Sequence, residues 1–160
     1  MVTFSFLLNI TLVVLLFLSA GSFFSAPWMP TRKRDFAVIA NLMKPNPKDM
    51  LYDLSSGTGE FLFFMSKKYN IRGVGIEISP LLYLYSKTKS LFYKNVKIVY
   101  GNFYHYNLSD ADIVYAFLMP KKIVKLRDKL SRKLSPHAKI IISSWPLENH
   151  PAINSKKDKQ

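Results

Sequence analysis

The chain has 160 residues, of which 49% are hydrophobic, and carries a formal net charge of +13 at pH 7. This length accommodates one domain of ordinary size, and the hydrophobic content excludes disorder throughout. The absence of cysteine excludes disulfides, thiolate catalysis and cysteine-ligated metals. His105, His137 and His150 are too widely separated in the sequence to predict a metal site. The positive charge favours an anionic neighbour, but it does not choose among lipid, nucleic acid and acidic protein.

The first part of the chain is an apolar run without charge, from Val2 to about Phe24. It reaches the ~20 residues that a helix needs to cross a bilayer, so we expect a transmembrane anchor over residues 1–25. A signal peptide is the alternative, but its basic stretch normally precedes the apolar run. Here the basic cluster 32–34 follows the run, which places the N-terminus outside and the rest on the cytoplasmic or equivalent side. Residues 26–34, with two prolines and a tryptophan, are the expected interfacial linker.

The remainder alternates helix-like and strand-like stretches, which predicts an α/β domain over residues 35–150 and a basic tail over 151–160. Such alternation favours right-handed crossovers and a doubly wound, mostly parallel, Rossmann-like sheet. The strands are continuous apolar runs, as expected when helices cover both faces of the sheet. The predicted helices are 35–44, 58–69, a third starting at Pro80 after an N-cap at Ser79, and one from Pro120 to about 135; the predicted strands are 50–54, 73–78, 96–100, 111–118 and 138–145.

The end of the first strand carries the strongest indication of a ligand site. Asp53 is followed by Gly57 and Gly59, which let the backbone turn sharply near a ligand, and Glu77 ends the second strand, where an acidic residue can hold ribose hydroxyls. A dinucleotide site would need a third glycine at the position of Leu62. The Asp53 carboxylate would also repel the negative charge of a pyrophosphate. S-adenosylmethionine has no phosphate and carries an ammonium group that suits Asp53. The alternative is that the two glycines only form a tight turn.

At these residues the chain resembles the class I (seven-β-strand) S-adenosylmethionine-dependent methyltransferases. DLSSGTGEF is similar to their first motif, and GVGIEISP is similar to their acidic second-strand motif. GNFYHY resembles the segment that contacts adenine, and ADIVYAFLMP resembles the fourth strand with its following loop. The resemblance implies their α/β fold, their cofactor and methyl transfer.

More narrowly, the chain resembles a membrane-associated family of protein-lysine methyltransferases. The eukaryotic members are mitochondrial and modify lysines of the adenine nucleotide translocase and of the ATP synthase c subunit. That family also has an N-terminal hydrophobic segment, a Pro-x-x-Pro-Thr-like stretch (here Pro27 to Thr31), a short helix and then the first motif. The resemblance implies a lysine of a membrane-associated protein as the methyl acceptor.

The resemblance also implies roles for individual residues. Asp53 would bind the methionine amino group, and Glu77 would hold the ribose hydroxyls. Further cofactor contacts are expected from Ser55, Gly57, Gly59, Ile78, Asn102 and Phe103. Met119 and Pro120 would form the rim where the substrate lysine enters.

Three features depart from the family pattern. Ser55 stands where the first glycine of the motif usually lies. Asn102 replaces a common aspartate, which removes one charge-assisted bond to adenine. The sequence ends soon after the fifth predicted strand, so we expect no C-terminal antiparallel hairpin and an open sheet edge.

Methyl transfer from a sulfonium group to an amine requires alignment and desolvation rather than a covalent intermediate. No catalytic base is evident. Aromatic side chains near the predicted strand ends could line a lysine channel through cation–π contacts, although core packing is their commoner role; they are Tyr104, Tyr106, Tyr115, Phe117 and Trp145.

The alternatives to a protein-lysine methyltransferase are a methyltransferase for a lipid or other small molecule, and a membrane-tethered module without catalysis. Nucleic-acid methylation ranks lower, since the loops expected for base methylation are absent.

Overall fold

The computed structural model describes residues 4–13, 30–118 and 134–143, together with Lys125, Leu126 and Leu130. Residues 4–13 are helical with exposed apolar side chains. Within the described residues, no helix is long and apolar enough to cross a membrane. Most of the predicted anchor lies outside these residues, so the anchor and the domain boundaries stay predictions.

The ordered elements follow the predicted alternation closely. Five parallel strands form one sheet in the order β3-β2-β1-β4-β5, which confirms the Rossmann-like arrangement. The strands are β1 (Met50–Leu54), β2 (Arg72–Glu77), β3 (Val96–Tyr100), β4 (Ile113–Phe117) and β5 (Lys139–Ser143). The helices are α1 (Phe36–Met43), α2 (Glu60–Tyr69) and α3 (Pro80–Ser90), with 3-10 turns at Lys33–Asp35 and Phe103–His105.

Each face of the sheet carries its own apolar cluster, because alternate strand residues point to opposite faces. On one face α1 and α2 cover side chains such as Leu51, Ile98 and Ile113. On the other face Leu126 and Leu130 lie with Leu54 and Ile76. Leu126 and Leu130 are helical and belong to the stretch predicted as a helix from Pro120; the rest of that stretch lies largely outside the described residues.

The close packing of α2 on the sheet explains how the chain manages without a third motif glycine. The side chain of Leu62 lies directly over Gly73 and Gly75 of β2. A Cβ atom on either glycine would come within 2.8 Å of a Leu62 methyl carbon. The glycines that allow close helix–strand packing therefore stand on the strand, and the large residue stands on the helix.

The start of α3 agrees with the predicted position but not with the predicted cap. Ser79 occupies the N-cap position and Pro80 the first helical turn, as the sequence indicated. The Ser79 side chain makes no capping hydrogen bond. Instead its backbone N–H donates to the Glu77 carboxylate at 2.8 Å, so the acidic residue of β2 fixes the backbone just before the first turn of α3.

Candidate functional site

Two carboxylates are buried where β1 and β2 end. Asp53 and Glu77 are each 3% exposed. Asp53 pairs in register with Gly75 on one side and Tyr115 on the other, so it lies in the middle of the sheet. The carboxyl ends of the strands, beside the reversal of strand order, are the usual ligand position in such folds. The two acidic residues predicted from the sequence are therefore brought to this edge.

Glu77 organises the loop that follows β1. One carboxylate oxygen accepts a hydrogen bond from the Gly57 N–H, and the other accepts from the Ser79 N–H, both at 2.8 Å. Each carboxylate oxygen has two lone pairs, so the same group retains capacity for ribose hydroxyls. The backbone bonds fix the carboxylate in place before any ligand arrives.

The loop itself turns through three residues with positive φ: Ser55 at 115°, Gly57 at 55° and Gly59 at 75°. The N–H groups of Ser55 and Ser56 both donate to the Ile76 carbonyl oxygen, at 3.0 and 3.1 Å. This ties the loop to the second strand. Ser55 takes a conformation that glycine adopts without a Cβ penalty, which explains physically why glycine suits this position.

Asp53 is a buried acid that forms no ion pair among the described residues. Burial, with a smaller contribution from the charge of Glu77, raises the pKa of Asp53 to about 8. A carboxylate held in this way gains from a cationic ligand, because the ligand supplies the missing opposite charge. The ammonium group of S-adenosylmethionine supplies such a charge, and its ribose hydroxyls are donors for Glu77. The two buried acids thus fit this cofactor.

The segment after β3 forms a second wall of the edge. The Gly101 N–H donates to the Glu77 backbone carbonyl at 2.9 Å, which holds this segment against β2. The Asn102 side-chain oxygen accepts from the Tyr104 N–H at 3.0 Å and caps the short 3-10 turn that carries Phe103. Ile78 and Phe103 are both half-buried. Their contacts with adenine stay predictions.

Tyr115 takes the core position that was the commoner of the two roles expected for the aromatic residues near the strand ends. It is 1% exposed and packs on the Phe61 ring, with centroids 4.5 Å apart. Its hydroxyl is 2.8 Å from the Thr31 hydroxyl. Burial, and secondarily the charge of Asp53, raises the pKa of Tyr115. Tyr115 is therefore a core residue. It connects the linker to the edge of the sheet where Asp53 and Glu77 lie, which we call the cofactor edge.

The role of Thr31 was missed by motif analysis, which treated residues 26–34 only as an interfacial linker. Its hydroxyl reaches a residue of the central sheet next to Asp53. The available signal was the Pro-x-x-Pro-Thr stretch, which ends at Thr31. A hydroxyl residue placed after two prolines indicated a fixed backbone position rather than a spacer.

The acceptor side of the site is only partly described. Met119, Pro120 and Trp145 lie outside the described residues, and Phe117 is half-buried at the end of β4. The Lys125 ammonium lies 5.0 Å from the centre of the Tyr104 ring, so this ring face accepts a cation–π contact. Within the described part of the chain, no three His, Asp or Glu side chains are placed to hold a metal ion.

Known proteins agree with the fold and the site chemistry. An RNA methyltransferase of Salinibacter ruber, solved with S-adenosyl-L-homocysteine, superposes with a TM-score of 0.78 at 26% identity, over 81% of this chain and 86% of its own. A SAM-dependent methyltransferase of Geobacter sulfurreducens, also with S-adenosyl-L-homocysteine, gives 0.64 at 21% identity, over 79% and 53%. The fold and the paired acids therefore define a class I S-adenosylmethionine-dependent methyltransferase.

The family assignment is narrower. The family model of the ANTKMT methyltransferase domain matches residues 53–154, more than half of the chain. A protein-lysine N-methyltransferase of Saccharolobus islandicus (strain REY15A) is 28% identical over 119 residues, which make up 72% of this chain and 74% of that protein. The chain belongs to the ANTKMT methyltransferase domain family, and S-adenosylmethionine is its cofactor.

Proposed function

We propose that the chain transfers methyl groups to a lysine of a membrane-associated protein. The observation that carries the proposal is the ANTKMT family membership together with the relative named a protein-lysine N-methyltransferase. The alignment covers about three quarters of that relative, so the sequence similarity extends well beyond the cofactor motif. The half-buried aromatic rings near the cofactor edge, Tyr104 among them, suit an incoming ammonium group.

The reaction chemistry follows from the two acids. S-adenosylmethionine supplies an electrophilic methyl group on a sulfonium sulfur. Asp53, once ionised, holds the ammonium end of the cofactor, and Glu77 holds the ribose, so the methyl carbon is fixed relative to the sheet edge. The lysine ammonium would first lose a proton to solvent. The neutral nitrogen would then form the new N–C bond as the C–S bond breaks, and the bonding pair would stay on the sulfur. The contribution of the chain is alignment and exclusion of water.

The membrane part of the proposal rests on the N-terminus. The apolar run from Val2 to about Phe24 would anchor the chain, and the basic cluster 32–34 would hold the catalytic domain on the cytoplasmic or equivalent side. The described helical residues 4–13 expose side chains such as Phe4, Phe6 and Val13. Such a surface favours lipid over water.

RNA methylation is the second candidate, because the Salinibacter ruber structure with a TM-score of 0.78 is an RNA methyltransferase. The net charge of +13 also suits a phosphate backbone. Against it, the described cofactor edge carries two buried acids, Asp53 and Glu77.

The deciding experiment uses the full chain in lipid nanodiscs with labelled S-adenosylmethionine. It is incubated with membrane proteins, total RNA or extracted lipid, and Asp53→Ala serves as the matched control without a cofactor anchor. We expect label in protein, located on lysine by mass spectrometry and absent with the control. Label in RNA or lipid, with protein unlabelled, would contradict the lysine proposal while leaving methyl transfer intact.

A further inference from the structure

Helix α3 exposes its apolar side and buries its small polar side. Leu81, Leu84 and Tyr85 are 56%, 55% and 53% exposed, and Leu91 and Phe92, just beyond the helix, are 76% and 84% exposed. Their spacing of three, four and seven positions places them along one helical face. We call these five residues the α3 stripe.

The buried side of α3 explains why this inversion is tolerated. Ser86 and Ser90 face the sheet and are nearly inaccessible. The Ser86 hydroxyl donates to the Leu82 carbonyl at 2.8 Å, and the Ser90 hydroxyl donates to the Lys87 carbonyl at 2.7 Å. Their hydrogen bonds are satisfied within the helix, so the close approach to β3 costs little. The α3 stripe does not contribute to the core, and several adjacent exposed large apolar residues mark an interaction surface.

The exposed charge around the α3 stripe is positive, and the nearby Glu60 carboxylate is paired with Lys89 of α3. Between Pro80 and Tyr100 the sequence has four lysines and no aspartate or glutamate. Lys87, Lys94 and Lys97 are exposed. Beside Phe92 lies an open groove of about 590 Å³, lined by Ser66, Lys67, Asn70, Phe92, Tyr93, Lys94 and Asn95. A groove with two lysines and several amide or hydroxyl groups next to an exposed phenyl ring suits an anionic headgroup beside an acyl chain.

We propose that the α3 stripe lies on an anionic lipid bilayer, with its apolar side chains in the interface and its lysines at the phosphates. Helices with an apolar face flanked by lysine bind membranes in this way. A second copy of the chain fits less well, because a symmetric contact brings the same patch together from both sides. That contact would bring two copies of the same lysine-bearing patch together, and the stretch 80–100 has no acidic side chain to pair with these lysines.

The orientation that follows is useful for the reaction. Helix α3 begins after the carboxyl end of β2 and leads to the start of β3, so it runs antiparallel to the strands. The α3 stripe thus extends from the cofactor edge, near Leu81, to the opposite end of the sheet, near Phe92. A bilayer along this flank would place the opening of the cofactor site beside the membrane surface. The inference does not rest on lysine specificity or on the N-terminal anchor.

The test uses the absence of cysteine in the chain. In the full chain, Leu84→Cys and Phe92→Cys are each labelled with an environment-sensitive fluorophore. Ser109→Cys, exposed in the connection before β4, is the matched control. The proteins are reconstituted into phosphatidylcholine vesicles with or without phosphatidylglycerol, and brominated lipids serve as quenchers.

We expect a blue shift and roughly twofold quenching by brominated lipid at positions 84 and 92 in anionic vesicles, as for side chains ~5–10 Å into the interface. The control at position 109 should show neither. Replacing Lys87 and Lys94 together with glutamine should reverse most of the effect. Probes at 84 and 92 that stay as accessible to aqueous iodide as the control would overturn the proposal. So would burial that needs no lipid and increases with protein concentration, since that pattern indicates self-association.

Discussion

The cofactor edge and the α3 stripe depart from ordinary burial in opposite directions. At the cofactor edge Asp53 and Glu77 are carboxylates that are 3% exposed. On the α3 stripe, by contrast, Phe92 is a large apolar side chain that is 84% exposed. Charged groups are almost never fully buried without a partner, and clustered apolar groups are seldom left in water. Both regions therefore carry a cost that a bound molecule would offset: a cationic cofactor in one case and a lipid surface in the other.

The two departures differ in how the fold supports them. Glu77 is held by backbone hydrogen bonds from Gly57, in the loop after β1, and from Ser79, which follows β2. The α3 stripe is exposed on its outer side, and the inner face of α3 packs on β3. A substitution at the cofactor edge should therefore change binding strongly, whereas a substitution on the stripe should barely change folding.

The largest effect should follow Asp53→Ala. The variant loses the charge-assisted hydrogen bond to the cofactor ammonium, worth ~1.5–3 kcal/mol, so we expect roughly a hundredfold weaker binding of S-adenosylmethionine. Calorimetric titration of the full chain measures it. Asp110→Ala removes a carboxylate that accepts a hydrogen bond from the Tyr52 hydroxyl at 2.8 Å. Asp110 precedes the start of β4 and does not follow the carboxyl end of a strand, so this variant should leave the affinity for S-adenosylmethionine nearly unchanged. Equal losses in the two variants would show that Asp53 acts only through general charge or folding.

The next effect is a pH dependence of cofactor binding. The pKa of Asp53 is raised to about 8 by burial, so below that pH the site must release a proton when the cofactor ammonium binds. We expect affinity to rise by up to about tenfold per pH unit between pH 6 and 7, level off near pH 8, and fall above it as the cofactor amine loses its proton. Titrations in buffers of different ionisation enthalpy report the released proton. Asp53→Asn should bind S-adenosylmethionine weakly, and its affinity should not rise with pH below pH 8. If the affinity of this variant still rises in that range, the released proton comes from another group.

Stability without cofactor should show the opposite trend. The pKa of Asp53 is higher in the folded chain, about 8, than the ordinary value of an aspartate side chain, 3.8. The unfolded chain therefore loses its proton first as the pH rises, and the contribution of Asp53 to stability declines between about pH 4 and pH 8. Thermal unfolding of the free protein against Asp53→Asn isolates this contribution, because asparagine does not titrate.

Glu77→Gln should weaken cofactor binding by about tenfold, close to the ~1.4 kcal/mol of one lost charged acceptor. The amide retains one oxygen, so only one of the N–H groups of Gly57 and Ser79 keeps its acceptor. The loss should therefore include a less ordered loop, measured as faster amide hydrogen exchange at Gly57. Normal exchange with weakened binding would restrict the role of Glu77 to the ligand alone.

Ser55→Gly should stabilise the chain by about 1 kcal/mol. The positive φ of Ser55, 115°, costs ~1–3 kcal/mol for a residue with a Cβ atom, and the greater freedom of unfolded glycine removes ~0.5–1 of that gain. Denaturant unfolding measures the change. Thr58→Gly is the neighbouring control: the φ of Thr58 is not positive, so this variant should gain no stability. A stability loss with Ser55→Gly would contradict the strained conformation.

The smallest effect should come from the α3 stripe. Leu84→Ser changes a side chain that is 55% exposed, so unfolding free energy in detergent should move by less than about 0.5 kcal/mol. Leu62→Ala, fully buried over Gly73 and Gly75, is the contrasting variant and should lose ~2–5 kcal/mol. A large loss with Leu84→Ser would mean that the stripe is packed in the folded chain.

Much of the fold was predictable because strand periodicity is a local signal. The predictions for 50–54 and 96–100 match β1 and β3, and those for β2 and β4 differ by one or two residues at each end. The prediction for β5 starts one residue early, and its last two residues lie outside the described part of the chain. The 3-10 turn at Phe103–His105 was not predicted, since it depends on the cap from the Asn102 side chain. The positions of Asp53 and Glu77 at strand ends were predicted from sequence, whereas the partners that surround them were not.

The sequence by itself predicted the class of the protein: its apolar runs predict the parallel sheet, and Asp53, Gly57, Gly59 and Glu77 resemble the cofactor motifs of the methyltransferases. Only the tertiary structure decided which side of α3 faces the sheet, because Pro80–Ser90 contains both a serine face and a leucine face. It also decided that Thr31 reaches Tyr115, 84 positions away in the chain. Local patterns encode which residues share a face, but the choice of the buried face and of distant partners depends on packing against the whole sheet.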